Sequence, residues 1–275
     1  MSAPRELIVN ADDYGLTRGV SRGIREAHLR GIVTSTTAMM NMPGVEEDLN
    51  IAMGETPRLG LGVHLVLTAG RPTLPPEQLP ALVSAEGDFL SLAEFTLARA
   101  RLDLEQVRRE WRAQIKKFMA ATGIPPDHLD SHHHTSFFSA GLFRTMLELA
   151  QDYGCAIRNP LRTLEGSGMP PEVDAEFAAC APPLLAEFSP CTTGAFVADF
   201  YDEGATGQSL LAILDRLPDG TTELMCHPAY VDDDLAAVSG YVSQRERELR
   251  VLIDPALALA LDKGRIELRK FREIN

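Results

Sequence analysis

Nine residues, Pro126-Asp127-His128-Leu129-Asp130-Ser131-His132-His133-His134, hold four of the chain's seven histidines. A packed core would have to satisfy every ring nitrogen of such a run, and a solvated loop has little use for it. Neutral imidazole is the commonest protein metal ligand, so a metal site is the leading reading, set against a merely His-rich polar loop. Other residues able to do chemistry are spread along the chain: Asp12 and Asp13, His64, Arg158 and His227. Each has an ordinary explanation by itself. Paired aspartates favour turns and caps, and a lone histidine in an apolar strand is more often satisfied core than ligand.

The predicted elements give these residues a common address. Leu7-Ile8-Val9-Asn10 reads as a short buried strand that runs into Asp12 and Asp13. Thr17 caps a helix with Val20, Ile24 and Ala27 on its apolar side, and Gly31 closes it. Residues 32–40 read as a second strand, Pro43-Gly44 turns the chain into a short helix, and Leu59 to Leu67 is a third strand, apolar on both faces, that holds His64. Three strand–helix repeats predict a parallel α/β architecture with right-handed crossovers. Asp103 and Gln106 cap an amphipathic helix with the stripe Leu104, Val107, Trp111, Ile115 and Phe118, ended by Gly123; Trp111 is read as core. A strand over 128–131 then ends at His132.

Ser139 caps the next helix and Gly154 closes it. A strand at 155–158 ends on Arg158, and Thr222 to Cys226 is a strand ended by His227. Residues 209–217 and 244–261 read as helical, the second broken near Pro255, and 265–268 as a last strand. Residues 161–193 carry weak signals and stay unassigned. Arg71 to Pro80 contains four prolines and cannot be regular structure, so an insertion or lid is expected at about 70–100, with a short helix near Ser91. With no repeat and no low-complexity linker, residues 1–275 are expected to form one domain.

Bulk properties narrow the function. The chain has 275 residues and a net charge of −13, which argues against nucleic acid or an anionic membrane as partner, since both demand a basic face. No apolar run reaches the length of a membrane span, and the polar start of the chain is too short for a signal segment. Cys155, Cys180, Cys191 and Cys226 form no C-x-x-C pair and are read as reduced thiols of a cytoplasmic protein. Nothing in the sequence decides between a monomer and a homodimer.

In parallel α/β folds and barrels the carboxyl ends of the strands form the functional face. Asp13, His64 and His132 all lie at such ends or in such strands. Two histidines and one carboxylate leave positions open for water and substrate, as a hydrolytic metal site requires, and Zn²⁺ suits two imidazoles. Asp12 is then free to act as general base, and His227 as the acid that protonates a leaving group. Strand alternation separates His132 from His133, so His133 and His134 are left either to support the metal ligands from behind or to form the substrate rim, and His128 for structure. Asp130, two residues before His132, is expected to orient that imidazole from behind.

Five motifs then resemble one family. Asn10-Ala11-Asp12-Asp13-Tyr14-Gly15, Gly31-Ile32-Val33-Thr34-Ser35-Thr36-Thr37, the segment around His64, His128 to His134, and Met225-Cys226-His227-Pro228-Ala229 look like the YdjC-type carbohydrate deacetylases. Among these are chitooligosaccharide deacetylases and a branch associated with hopanoid biosynthesis. The resemblance implies a distorted (β/α) TIM-like barrel that removes acetyl from an N-acetylated sugar, with Mg²⁺ as the usual metal. Carried over by residue, it implies Asp13, His64 and His132 as ligands. Analogy to zinc polysaccharide deacetylases supports Asp12 as base, His227 as acid and Arg158 as the group orienting Asp12. The chain departs from the family at Thr135-Ser136-Phe137-Phe138, where many members have Val-His-Met-Phe; the missing imidazole is expected at the substrate rim.

Two other classes compete. One is a metal-dependent hydrolase of a phosphoester or cyclic amide on a similar barrel, which would want several basic residues near the metal; the sequence offers chiefly Arg158 and Arg18. The other is a non-catalytic sugar-binding relative, which replacement of Asp12 or His227 would favour. Both are present.

Overall fold

In the computed structural model, which describes residues 4–159 and 171–274, eight strands share one sheet and every strand pairing is parallel. The chain runs β1 (Arg5–Tyr14), α1 (Arg18–Arg30), β2 (Ser35–Ala38), α2 (Val45–Glu55), β3 (Gly60–Leu65), α3 (Leu92–Ala98), α4 (Leu104–Thr122), β4 (His128–Ser131), α5 (Ala140–Tyr153) and β5 (Ala156–Ile157). It continues through α6 (Pro171–Phe188), β6 (Ala195–Val197), α7 (Gly207–Asp215), β7 (Gly220–Cys226), α8 (Asp233–Val238), α9 (Ser243–Leu252), α10 (Ala256–Gly264) and β8 (Ile266–Leu268).

The strand order is β5-β4-β3-β2-β1-β7-β6. Among the described residues the far edges meet through one parallel bridge, Ile157 to Thr192, and an N–H of Ile157 donating 2.9 Å to the Cys191 carbonyl. β8 fills the space beside Arg5–Leu7, where β1 has not yet met β2.

Alternation along β1 sets up both sides of the wall. Leu7, Val9 and Ala11 join the large core under the helices, while Ile8 faces the other way, against Ala156 and Phe271. His128 stacks on Phe271 at 3.8 Å, so the amino end of the barrel is plugged. Polar residues of the same inward set are buried too: Glu223 beside Ile8, and Asn10 and Asp130.

The expected caps are in place. Thr17, Asp103 and Ser139 accept N–H groups at the starts of α1, α4 and α5, and left-handed Gly123 and Gly154 end α4 and α5. Val107, Trp111, Ile115 and Phe118 are fully buried, although Leu104, first in the stripe, is exposed at the start of the helix. Of residues 161–193, left unassigned from the sequence, 161–170 lie outside the described residues. From Pro171 onward the chain is helical, with Val173, Phe177, Ala181 and Leu184 buried at helical spacing. Pro182 and Pro183 within α6 hide that period, because proline argues against a helix interior.

The Pro-rich stretch is packed down. Leu79, Leu82, Phe89 and Phe95 are buried, and Ser91 caps α3 with a complete capping box. Glu110 of α4 accepts the Thr73 and Leu74 N–H groups at 2.8 and 2.9 Å, and Gln106 accepts that of Ala81 at 3.0 Å. Among the described residues no helix is long and apolar enough to cross a membrane, and all four cysteines are free.

Candidate active site

A regular strand would send Asp12 and Asp13 to opposite faces. The β1–β2 register shifts between Ala11 and Tyr14, and Asp13 takes a φ of 70°, a left-handed conformation that aspartate tolerates better than most residues. Both carboxylates therefore line one cleft. Gly15, at φ 88°, completes the turn where a Cβ would fall 2.4 Å from Val45 Cγ2, so no larger residue fits.

Asp12 is held by a fork. Arg158 Nη2 donates to its Oδ1 at 2.6 Å and Nη1 to its Oδ2 at 2.7 Å, and Asn10 Nδ2 donates to Oδ1 at 2.9 Å. Arg158 is fully buried; its Nη2 also lies 3.0 Å from Asp130, and its Nε donates to Glu223 at 2.8 Å. Burial works against charge on Asp12, yet the Arg158 guanidinium holds its carboxyl well below the usual range. Glu223 is less well matched, and burial pushes its pKa up to about 7.

Asp13 Oδ1 stands 3.2 Å from His64 Nε2 and 3.0 Å from His132 Nδ1, while Arg245 Nη2 donates to Oδ2 at 2.6 Å. Burial opposes its charge, but Arg245 and His132 hold the carboxyl well below the ordinary value. Burial likewise opposes charge on His64, and Asp130 at 2.7 Å from its Nδ1, with Asp13 and Asp12, nevertheless pushes its pKa up to about 10. Four buried carboxyl side chains (Asp12, Asp13, Asp130, Glu223) thus face two guanidinium groups (Arg158, Arg245), and the surplus draws positive charge into the site.

Asp13, His64 and His132 each offer a donor atom, all within 4.8 Å of one another, a set that fits a divalent cation. Donor atoms of Asp12, His64 and Asp130 also lie within 4.8 Å of one another, but Arg158 already occupies both of those carboxylates.

His227, next to the end of β7, has Nε2 4.0 Å from Asp12 Oδ2. Burial pushes its pKa down to about 4. Its backbone N–H donates to Glu248, a fully buried acid that burial pushes up to about 8. Tyr241 donates to the other Glu248 oxygen at 2.5 Å. The cleft over these groups measures about 1630 Å³, and Arg71, Leu92 and Thr96 of the Pro-rich insertion line one wall.

Several expectations need correction. Asp130 orients His64, not His132: β3 and β4 set His64 opposite Asp130, whereas the chain turns away after Ser131. For the same reason the strand alternation invoked for His133 does not extend to it. His132 begins a 3-10 turn in which His133 and His134 have φ of 54° and 55°, and the rings of His132 and His133 stay 3.9 Å apart. His133 accepts from or donates to Thr68 at 3.0 Å and lines the cleft with His134. Ser136, at the position of the family's missing histidine, is buried and bonded to Ser131 at 2.7 Å, so it does not form the rim. Arg18 pairs with Glu47 at 2.6 Å with its side chain 72% exposed and stays out of the site.

The sequence missed Glu223, Arg245 and Glu248. Glu223 had a visible signal, the one charged residue of β7, set between Thr222 and Leu224. Arg245 and Glu248 had none, because α9 is rich in charge on every side.

This is a (β/α) barrel protein with a buried, acid-rich, two-histidine centre at the carboxyl ends of its strands. The model of the YdjC-like protein family matches residues 6–263, and the chain belongs to that family. It is 39% identical over 271 residues to a carbohydrate deacetylase of Geobacillus stearothermophilus, covering 98% of each chain. With a chitooligosaccharide deacetylase of Yersinia enterocolitica it shares 37% identity over 263 residues, 94% of each. A crystal structure of an Enterococcus faecalis V583 protein, provisionally called a cellobiose-phosphate cleavage protein, superposes with a TM-score of 0.87 at 34% identity, covering 98% of each chain.

Proposed function

We propose that this chain is a metal-dependent carbohydrate N-deacetylase, hydrolysing the acetamide of an N-acetylglucosamine-containing oligosaccharide or glycoconjugate to amine and acetate. The observation that carries this reading is one carboxylate oxygen, on Asp13, within 3.2 Å of His64 Nε2 and 3.0 Å of His132 Nδ1, with Asp12 beside it in the cleft. The names of the relatives supply the substrate class. Asp13, His64 and His132 are the ligands in this reading. Two imidazoles favour Zn²⁺ or another first-row ion over the Mg²⁺ implied by family likeness. When bound, the ion supplies Lewis acidity toward the acetamide carbonyl and the attacking water.

The chain's own groups move the proton. Asp12, ionised and held by Arg158, takes it from water as the new C–O bond forms. His227, neutral at rest and 4.0 Å from Asp12, carries that proton to the leaving nitrogen as the C–N bond breaks. One proton serves both steps, so no charged His227 is needed at the start. The fork of Arg158 fixes which face of Asp12 meets water.

The proposal extends to organisation and place. The chain works as one domain, with the insertion at about 70–100 forming a wall of the cleft; four free thiols support a reducing, cytoplasmic setting. The test is acetate release from N-acetylglucosamine oligomers with and without chelator. Chelator-sensitive release is expected. A metal-loaded protein that frees no acetate from any amide-bearing sugar would sink the proposal.

A further inference from the structure

Tyr201 is 44% exposed although it lines the cleft, and Tyr241 covers one of its faces at a centroid separation of 4.3 Å and an angle of 7°. Its open surface is therefore on the side away from Tyr241. A large aromatic left in water inside a cleft marks a place where apolar ligand surface is to be buried. Val238, 65% exposed, lines the same cleft, and Leu92 of the insertion, 37% exposed, is a further lining residue.

The ring is held from beneath. Tyr241 donates to Glu248 at 2.5 Å and accepts the Asp202 N–H at 2.8 Å, and its carbonyl accepts Arg245 Nε at 3.0 Å. Gln244 Nε2 donates to Asp202 at 3.1 Å, next in sequence to Tyr201. A platform fixed before binding loses little rotamer freedom when a ligand lands on it. Its position is also specific: the His227 ring stands edge-on at 5.5 Å from Tyr201 and 5.9 Å from Tyr241.

We propose that Tyr201, backed by Tyr241, is the stacking platform for a pyranose ring of the substrate on the leaving-group side of His227. This deepens the deacetylase reading and rests on it for the direction of the substrate. The apolar C–H face of a sugar matches a flat aromatic, and its hydroxyls remain free for His132, His133 and His134, which line the same cleft. The cleft volume of about 1630 Å³ exceeds the ~300–1,000 Å³ usual for small-molecule sites, which leaves room for more than one ring.

The test separates binding from turnover. Titration calorimetry of an N-acetylglucosamine trimer onto chelator-treated protein should show affinity about tenfold weaker for Tyr201→Ala than for wild type, the scale of one aromatic contact. Tyr201→Phe, which keeps the ring, should restore it. With metal restored, Tyr201→Ala should raise KM about tenfold and leave kcat within about threefold, with unchanged metal content and melting temperature. Equal affinity of wild type and Tyr201→Ala for the trimer would overturn the inference, as would a loss confined to kcat, which would place Tyr201's role on His227 instead. Absence of acetate release from the wild type is a different outcome: it removes the deacetylase reading, while the affinity comparison still decides the platform.

Discussion

Asp13 and Arg245, 232 residues apart in the chain, are joined by a 2.6 Å ion pair in which Arg245 Nη2 donates to Asp13 Oδ2. The pair leaves Oδ1 turned toward His64 and His132. Arg245 is buried and lines the cleft, so it acts on the candidate metal centre from inside the barrel mouth.

Removing that partner should loosen the carboxylate. Arg245→Ala is expected to weaken Zn²⁺ affinity by ~10–100-fold, the usual scale for a group that orients a ligand. Arg245→Lys keeps the charge but not the Nε bond to the Tyr241 carbonyl and should recover part of it. Chelator competition measures both. Wild-type affinity in Arg245→Ala would mean that the backbone at Asp13 suffices.

Asp12 and His132 should separate chemistry from metal. Asp12→Asn is expected to retain metal and lose ~10²–10⁴-fold in kcat, the range for a general base. His132→Ala should lose the metal itself. Metal analysis beside an acetate assay reads both effects, and near-wild-type acetate release by Asp12→Asn would refute its role as base.

Metal-free protein should lose stability as pH rises above neutrality. His64, raised from 6.5 to about 10, stabilises the fold fully below pH 6.5, and that contribution is lost as pH climbs through 10. Glu223 and Glu248, raised from 4.5 to about 7 and about 8, keep protons that the unfolded chain releases, so stability also falls between pH 4.5 and 8. His227, lowered from 6.5 to about 4, acts on the acid side, where stability drops as pH falls through that window. Thermal melts with chelator should show a decrease on the order of 5 °C between pH 6.5 and 9, from a few kcal/mol in a chain of this size. Zn²⁺ should flatten that limb, because it binds neutral His64. A melting temperature that rises over the same range without metal would contradict this assignment of charges.

Glu110 ties the insertion to α4 through the N–H groups of Thr73 and Leu74. Glu110→Ala leaves both donors unmatched and should cost about 1–3 kcal/mol of stability. Because the insertion walls the cleft, KM should rise several-fold while kcat changes little. Steady-state kinetics that show kcat falling at constant KM would place the insertion in catalysis instead.

Much of this protein was legible in one dimension. Leu7 to Val9 and Leu59 to Leu67 announce buried parallel strands because apolar residues occupy both faces. Thr17, Asp103 and Ser139 announce helix starts because a side-chain oxygen can take an orphan N–H. The gathering of Asp12, Asp13, His64, His132, Arg158 and His227 near strand ends follows from the same pattern, since a parallel barrel brings those ends together. α6 escaped because two prolines mask its period.

What the sequence determined by itself, then, is every strand but the three-residue β6, the end of the barrel that carries polar chemistry, and the residues that chain order places there. Only the tertiary structure decided the partners. Asp130 serves His64 because adjacent strands put them in register, and Arg245 reaches Asp13 from a helix 232 residues away. Periodicity is a local property that backbone geometry imposes within a few residues. Pairing of buried charges depends on which strands and helices close the barrel, and that is a property of the whole fold.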